Sequence, residues 1–166
     1  MAAINTKNIH RSNALTNYAY GRDFAYDEMM LTGDGDAGEK RARAAAKQSR
    51  TQTAMLAFGP TRALLRTFVL PKPGQGPSKQ ARDTGMFDIL FVGRIPDGRT
   101  LRASCRGDRD PGYGSTSKMI SEAALCLRDT PRDKTPGGVW TPVAAMGMPL
   151  LDRLSQRAGV TFQLEN

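Results

Sequence analysis

Histidine and cysteine, the residues that most often bind structural metals, are scarce in this chain. Its 166 residues include one histidine, His10, and two cysteines, Cys105 and Cys126. A structural zinc site takes four such ligands, so we expect no metal site. Each cysteine lies within an apolar strand or helix pattern, which predicts buried free thiols in a reducing compartment; one disulfide between them is the alternative.

Long apolar runs are absent as well. No stretch of the sequence approaches the roughly 20 apolar residues that a membrane-spanning helix needs, and the N-terminus lacks the apolar core of a secretory signal. We therefore expect a cytoplasmic protein. The length suits one domain with a core of its own or a piece of a larger protein.

Basic residues dominate one stretch. The net charge is +8, and residues 40–82 include ten basic side chains and no acidic one. A basic helical region with apolar positions is typical of a membrane-surface element, but it equally fits a solvated basic face over a core stripe. Nucleic acid is not expected as a partner, because the region has few aromatic residues and no nucleic-acid motif. A basic surface beside a cofactor site would also steer phosphorylated cofactors or carrier-linked substrates.

Glycine and proline divide the chain into three segments, which we interpret as parts of one domain. Residues 1–38 are polar and aromatic, residues 39–70 form a basic helical segment, and residues 71–166 contain a hairpin and C-terminal helices. In the second segment, Ala, Lys and Arg predict a helix over Glu39–Arg50, and the helical pattern that follows is interrupted at Gly59.

The hairpin is the clearest strand pattern. Met86–Val92 and Thr100–Cys105 alternate in polarity around a Pro-Asp-Gly turn, which predicts an antiparallel pair with one buried face. The residues on that face would be Phe87, Ile89, Phe91, Leu101, Ala103 and Cys105. A hairpin is marginal by itself, so the basic helices or missing sequence should cover or complete it.

The C-terminal third predicts a further helix and strand. Thr141 followed by proline is a typical helix start, and apolar spacing continues the helix over Thr141–Ala158. Pro149 lies inside this pattern and predicts a kink, or two short helices that meet at Met148. Val160–Leu164 would be a terminal strand. The predicted fold class is α+β, a small antiparallel sheet covered by helices.

A glycine-rich loop before a helix concentrates charge and hydroxyl groups. Gly107–Gly114 reads as a loop, and a helix over Ser115–Leu127 follows. A helix N-terminus offers unpaired backbone N–H groups and partial positive charge, which suit an anion. The alternative is an ordinary turn with a Ser/Thr cap that binds nothing.

Two short motifs in the sequence match known patterns but are not expected to form a cofactor-binding or catalytic site. Gly33–Gly38 fits G-x-G-x-x-G, but no strand pattern precedes it and Asp34 and Asp36 would repel a pyrophosphate, so a solvated loop is expected. Ser115–Lys118 fits the S-x-x-K motif, but the S-D-N and K-T-G motifs that accompany it in enzymes with a serine nucleophile are absent, so we do not expect a catalytic site of that type.

Several blocks along nearly the whole chain resemble one enzyme family. They include Arg11-Ser-Asn-Ala-Leu15, Tyr20-Gly-Arg-Asp23, Phe68-Val-Leu-Pro-Lys-Pro-Gly74, Gly107–Leu127 and Gly137-Gly-Val-Trp-Thr-Pro-Val-Ala-Ala-Met-Gly147. In this order the blocks resemble saccharopine dehydrogenase-like oxidoreductases, most of all the trans-acting enoyl reductases of lipid and polyketide pathways. Relatives of that kind begin with a dinucleotide-binding Rossmann domain, which has no counterpart here.

The resemblance implies that this chain is the C-terminal, substrate-side domain of a larger NAD(P)-dependent oxidoreductase acting on small or carrier-linked acyl substrates. Its C-terminal helices would pack on the Rossmann domain. We expect no turnover and no tight NAD(P) binding from this chain alone. The resemblance does not fix catalytic roles, for which Tyr113 and Lys118 are candidates; the residues expected to face substrate or cofactor are Arg109, Asp110, Tyr113, Ser115, Thr116 and Lys118.

A second function of a different class remains open. The basic helices could form a non-catalytic lipid- or membrane-surface module, or a peripheral membrane attachment of the enzyme. A Rossmann fingerprint in the reading frame just upstream of Met1 would favour the enzyme.

Overall fold

Alternating apolar residues build a three-stranded antiparallel sheet, and six helices accompany it within the residues that the structure describes. This computed structural model describes residues 2–72, 74–135 and 137–165. The strands are β1 (Phe87–Arg94), β2 (Thr100–Gly107) and β3 (Val160–Glu165). The helices are α1 (Ala2–Leu15), α2 (Gly35–Ala57), α3 (Gly59–Phe68), α4 (Lys79–Thr84), α5 (Gly114–Asp129) and α6 (Pro142–Arg157).

Contacts divide the chain into two compact units. One contains residues 1–26 and 77–166, and the other contains residues 27–76. The polar N-terminal segment predicted over residues 1–38 is therefore shared between the two units. The sheet and helices α1, α4, α5 and α6 belong to the first unit, and α2 and α3 belong to the second.

The predicted hairpin is confirmed, and the terminal strand joins it. The strand order is β1-β2-β3, with both pairs antiparallel. Ile89 lies opposite Cys105, which lies opposite Phe162 on the third strand. The predicted α+β class is thus confirmed, with β2 in the centre of the sheet.

Within the described residues of the first unit, helices cover one end of the apolar sheet face. Met119 of α5 and Leu154 of α6 pack on a cluster that includes Cys105 and Val160. Within the first unit, α5 and α6 provide this cover. Farther along the same face, Phe91 stays 46 % exposed and Leu101 63 %. The face was predicted to be buried throughout, but the two helices end before its second half.

The contact between α5 and α6 forms a second small core. Cys126 of α5 packs with Met146 and Leu150 of α6. Cys105 and Cys126 are both buried and free, as predicted. They belong to different clusters, so their burial serves packing at two separate places.

Helix α6 is kinked close to the predicted position. Gly147 leaves the helical region, with φ of 52° and ψ of −133°, two residues before Pro149. Proline removes a backbone donor and its ring crowds the preceding turn, and glycine adopts a positive φ without a Cβ clash. The pair therefore bends the helix while Met146 and Leu150 on either side stay buried.

Helix α1 was not predicted, because its sequence has no apolar stripe. It is held through buried polar side chains. Ser12 Oγ donates to Thr141 Oγ1 at 2.8 Å, so the Thr141 hydroxyl meets α1 rather than capping α6. Asn13 is 3 % exposed; its Nδ2 donates to the Gly21 carbonyl at 2.8 Å, and its Oδ1 accepts from the Tyr20 N–H at 2.9 Å.

The second unit consists mainly of the basic helices. Helix α2 begins at Gly35 and thus includes part of the Gly33–Gly38 stretch that was expected to be a loop. No strand precedes it between residues 27 and 34, as the rejection of a dinucleotide fingerprint supposed. The predicted break falls at Phe58, and α3 buries none of its residues. No helix among the described residues has the length and apolarity to cross a membrane.

We expect Asn13→Ala to destabilise the first unit by about 1–3 kcal/mol, because it leaves two backbone groups of a tight turn without their partner. That turn already contains two non-glycine residues at positive φ, Asn17 and Tyr18. Urea unfolding followed by circular dichroism measures the effect. Asn8→Ala, an exposed change on the same helix, is the control and should stay within about 0.5 kcal/mol of the wild type. Equal stability of the two variants would contradict the role of Asn13.

Candidate functional site

The loop from residue 108 to residue 113 connects β2, the central strand, to α5. Backbone hydrogen bonds fix it at both ends. The Asp108 N–H donates to the Gly159 carbonyl at 3.1 Å, and the Asp110 N–H donates to the Arg82 carbonyl of α4 at 3.1 Å. The loop is therefore held by the start of β3 on one side and by α4 on the other.

Two glycines permit this close arrangement. A Cβ at Gly107 would collide with the ring of Phe87, which lies opposite it on β1. Gly159 has a φ of +69°, and a Cβ there would collide with the Asp108 carboxylate. Gly159 combines a positive φ with close approach, which glycine alone does readily, and Gly107 has the close approach, so the Asp108 end of the loop depends on both glycines.

Asp110 supplies the anion at the start of α5. Its carboxylate accepts from the N–H groups of Tyr113 at 2.7 Å and Gly114 at 3.2 Å. Its carbonyl accepts from the Ser115 N–H at 2.8 Å. These three donors were expected to be open to an external anion, but the chain's own aspartate uses them.

The hydrogen bonds shift the titration of Asp110. The backbone N–H groups of Tyr113 and then Gly114 stabilise its charged form, so they hold the pKa of this carboxyl below its ordinary value. A charged carboxylate at this end is also favoured by the helix dipole. Helix start and loop are thus stabilised together by one ionised group.

The two cations of the predicted site are paired with carboxylates. Arg109 forms an ion pair with Asp83 at the end of α4, and Lys118 Nζ lies 3.4 Å from the Asp108 carboxylate. Lys79 also bonds Asp83, at 2.7 Å. The hydrogen bond from Lys79, with the charges of Lys79 and Arg109, lowers the pKa of Asp83.

The predicted residues with hydroxyl groups differ in how far their side chains are exposed to solvent. Ser115 is completely buried, and its Oγ donates to the Arg109 carbonyl at 3.1 Å, so it positions the loop. Thr116 Oγ1 donates to the Pro111 carbonyl at 2.5 Å. Tyr113, in contrast, is 60 % exposed.

The structure therefore brings the six predicted residues to one loop and helix start, but gives them unequal access to a ligand. Tyr113 presents its side chain to solvent, while Arg109 and Lys118 lie at the surface in ion pairs. Sequence reasoning missed Asp83, which lies 26 positions from Arg109. Its i,i+4 spacing from Lys79 was the available signal.

Other parts of the described chain add little to this site. A depression of about 550 Å³ lies at the opposite end of the sheet, around the hairpin turn. The residues that line it are Val92, Arg94, Ile95, Gly98, Thr100, Arg102 and Glu165. Within residues 2–72, 74–135 and 137–165, no group of three or more His, Cys, Asp or Glu side chains is placed to hold a metal ion.

The first unit thus defines an α+β protein with a charged loop at the covered end of a small antiparallel sheet. The chain is similar to a putative trans-acting enoyl reductase of Mycobacterium tuberculosis strain H37Rv, at 38 % identity over 98 % of this chain and 39 % of the relative. Trans-acting enoyl reductases of Mycobacterium ulcerans strain Agy99 and Mycobacterium bovis strain BCG Pasteur 1173P2 are 37 % and 35 % identical, over 92 % of this chain and 37 % of each relative.

The similarity extends along almost all of this chain but covers a limited part of the relatives. The chain spans about two fifths of the length of the curated relatives that it matches. No protein-family model matches the chain. No solved structure matches it either.

The lowered pKa of Asp110 predicts a defined acid sensitivity. Its stabilising contribution is fully present above the ordinary value of 3.8 and is lost as the pH falls through the lowered folded-state pKa. We expect Asp110→Asn, whose amide oxygen still accepts from the loop, to keep the fold at neutral pH and to lose less stability on acidification. Urea unfolding across a pH series measures this. Asp152→Asn, at an exposed position of α6, should follow the wild type; an identical acid response of the two variants would contradict the prediction.

Proposed function

We propose that these residues form the substrate-side part of an NAD(P)-dependent enoyl reductase of the trans-acting type. The similarity to relatives with that name, over 98 % of the chain, carries the proposal. The substrates would be unsaturated acyl groups of lipid or polyketide origin, either small or linked to a carrier. Saccharopine dehydrogenase-like ancestry and a position at the C-terminal end of the complete enzyme are parts of the same proposal.

The loop before α5 would act on the acyl group. Reduction of an enoyl thioester places negative charge on the carbonyl oxygen, and a positioned hydroxyl donor stabilises such charge. Tyr113 is the exposed donor of the loop. Arg109 and Lys118 would hold an anionic group of the substrate by exchanging their present carboxylate partners for it.

The cofactor must be held by other residues. A dinucleotide fold needs a strand, a glycine-rich turn and a helix that receives the pyrophosphate. Within the described residues, the one G-x-G-x-x-G stretch opens α2 without a preceding strand and contains two aspartates. These residues do not fit NAD(P), so the proposal assigns substrate binding and orientation alone to this chain.

The enzyme is tested with the longest open reading frame that contains these 166 residues. Nicotinamide absorbance is followed with enoyl, keto and imino substrates. We expect turnover of an enoyl thioester and a loss of roughly 10- to 100-fold in kcat/KM for Tyr113→Phe, Arg109→Ala or Lys118→Ala, because each removes a contact to developing or resident charge. Absence of enoyl turnover would overturn the proposal.

Matched variants show whether Arg109 and Lys118 bind substrate or only stabilise the fold through their ion pairs. Asp83→Asn and Asp108→Asn break the ion pairs but keep Arg109 and Lys118 available. If the cations bind substrate, these two variants retain kcat/KM while the alanine variants lose it. If pairing is the only role, both sets lower the melting temperature equally and leave kcat/KM unchanged. Tyr20→Phe, an exposed tyrosine outside the loop, controls for Tyr113→Phe.

A second candidate function rests on α3. This helix buries no residue, and Leu64 and Phe68 are 60 % and 78 % exposed. Arg62 and Arg66 lie one turn apart on another face of the helix. An apolar face beside basic side chains is the composition of a helix that lies on an anionic membrane surface. Membrane attachment could accompany the enzyme activity or replace it.

Vesicle sedimentation tests this attachment. We expect the chain to bind vesicles that contain phosphatidylserine, and Phe68→Ser to weaken binding roughly tenfold by removing apolar area from the membrane interface. Met29→Ser, which changes an exposed apolar residue outside α3, should bind like the wild type. Failure of the wild type to sediment with anionic vesicles would exclude this function.

A further inference from the structure

Strand β1 is an unprotected edge of the sheet. It pairs with β2 on one side, and its other backbone edge has no neighbouring strand among the described residues. Each of its eight residues pairs with one residue of β2, so the strand has no bulge, and it contains neither proline nor lysine. Bulges, proline and lysine are among the features by which natural edge strands prevent pairing with another chain, and the two charged residues of β1 lie near its ends.

The same strand is apolar and exposed on both faces. Its centre is the run Ile89-Leu90-Phe91-Val92, whose residues are 46 %, 40 %, 46 % and 49 % exposed. Alternate residues of a strand point to opposite faces, so both faces are uncovered here. A continuous apolar run is typical of a strand that is covered on both sides, and within the described residues of the first unit β1 does not have this cover.

The charges at the ends of β1 are complementary to each other. Asp88 lies near its start and Arg94 at its end, with Phe91 midway between them. Asp88 bonds Arg106 at 2.9 Å, in a pair that is half exposed. Arg94 has no ion-pair partner among the described residues.

We infer that β1 binds β1 of a second copy of this chain, antiparallel, across a two-fold axis at Phe91. In that register Asp88 lies opposite the partner's Arg94, and Arg94 lies opposite the partner's Asp88. Leu90 lies opposite the partner's Val92, and Phe91 lies opposite the partner's Phe91. Opposite charges and apolar cross-strand pairs both stabilise such a ladder.

Neighbouring registers lack this complementarity. A pairing centred on Leu90 places Asp88 opposite the partner's Val92, and both ion pairs are lost. The pairing centred on Phe91 joins the two sheets into one of six strands and satisfies an isologous two-fold interface. The inference does not depend on the proposed enzyme activity.

Cysteine cross-linking tests the register. In Phe91→Cys the two introduced thiols meet at the axis, so mild oxidation should give a covalent dimer. Leu90→Cys and Val92→Cys should not cross-link alone but should do so when mixed, because each lies opposite the other. The native cysteines are buried, and the wild type is the control. A dimer in which neither Phe91→Cys nor the mixture cross-links would overturn the inference.

Sedimentation velocity tests the assembly itself. We expect a concentration-dependent dimer of the wild type, weakened roughly tenfold by Arg94→Glu, which places like charges opposite each other at two positions. Arg132→Glu, at an exposed loop position, makes the same change in net charge and should dimerise like the wild type. A monomer at all concentrations would overturn the inference.

Discussion

The ionised carboxylate of Asp110 is the interaction on which the rest of the first unit depends. Its backbone N–H donates to α4, while its carboxylate and carbonyl accept from the last N–H of the loop, at Tyr113, and the first two of α5, at Gly114 and Ser115. A helix N-terminus concentrates unpaired donors and positive potential. By placing its own anion there, the chain satisfies these donors and fixes the direction in which α5 leaves the sheet. The packing of α5 and α6 over Cys105 and Val160 follows from that direction.

An internal anion at the helix start changes what the loop offers to a ligand. The backbone donors that Asp110 uses no longer serve an external anion, so under the proposed function recognition would depend on the side chains of Arg109, Tyr113 and Lys118. The two cations lie in partly exposed ion pairs, and such pairs contribute little net stability. If a substrate anion replaced Asp83 or Asp108 as the partner of a cation, the fold would therefore lose little free energy of unfolding. Hydrogen bonds fix the loop backbone, while its ion pairs are partly exposed, and this combination fits the proposed role in substrate binding.

Local patterns predicted much of the fold, and long-range polar contacts account for the rest. Period-two alternation gave the hairpin around Ile89, and Pro149 predicted the bend of α6. Helix α1 escaped prediction because a buried hydrogen bond between Ser12 and Thr141, rather than an apolar stripe, attaches it to the start of α6. At the site, loop and helix start were predicted correctly, but the use of the helix donors by Asp110 was not. Nothing in composition or spacing distinguishes a loop aspartate that caps from one that awaits a ligand.

The sheet separates the two activities inferred for this unit. The loop leaves the central strand at Gly107, at the end that α5 and α6 cover. The interface inferred for β1 is centred on Phe91, four residues away from the Phe87 that packs beneath this loop. In an antiparallel pair the covered ends of the two sheets lie at opposite ends of the joined ladder, because the strands run in opposite directions. The two proposed roles therefore use different elements of the unit, the edge strand β1 for association and the loop before α5 for substrate binding.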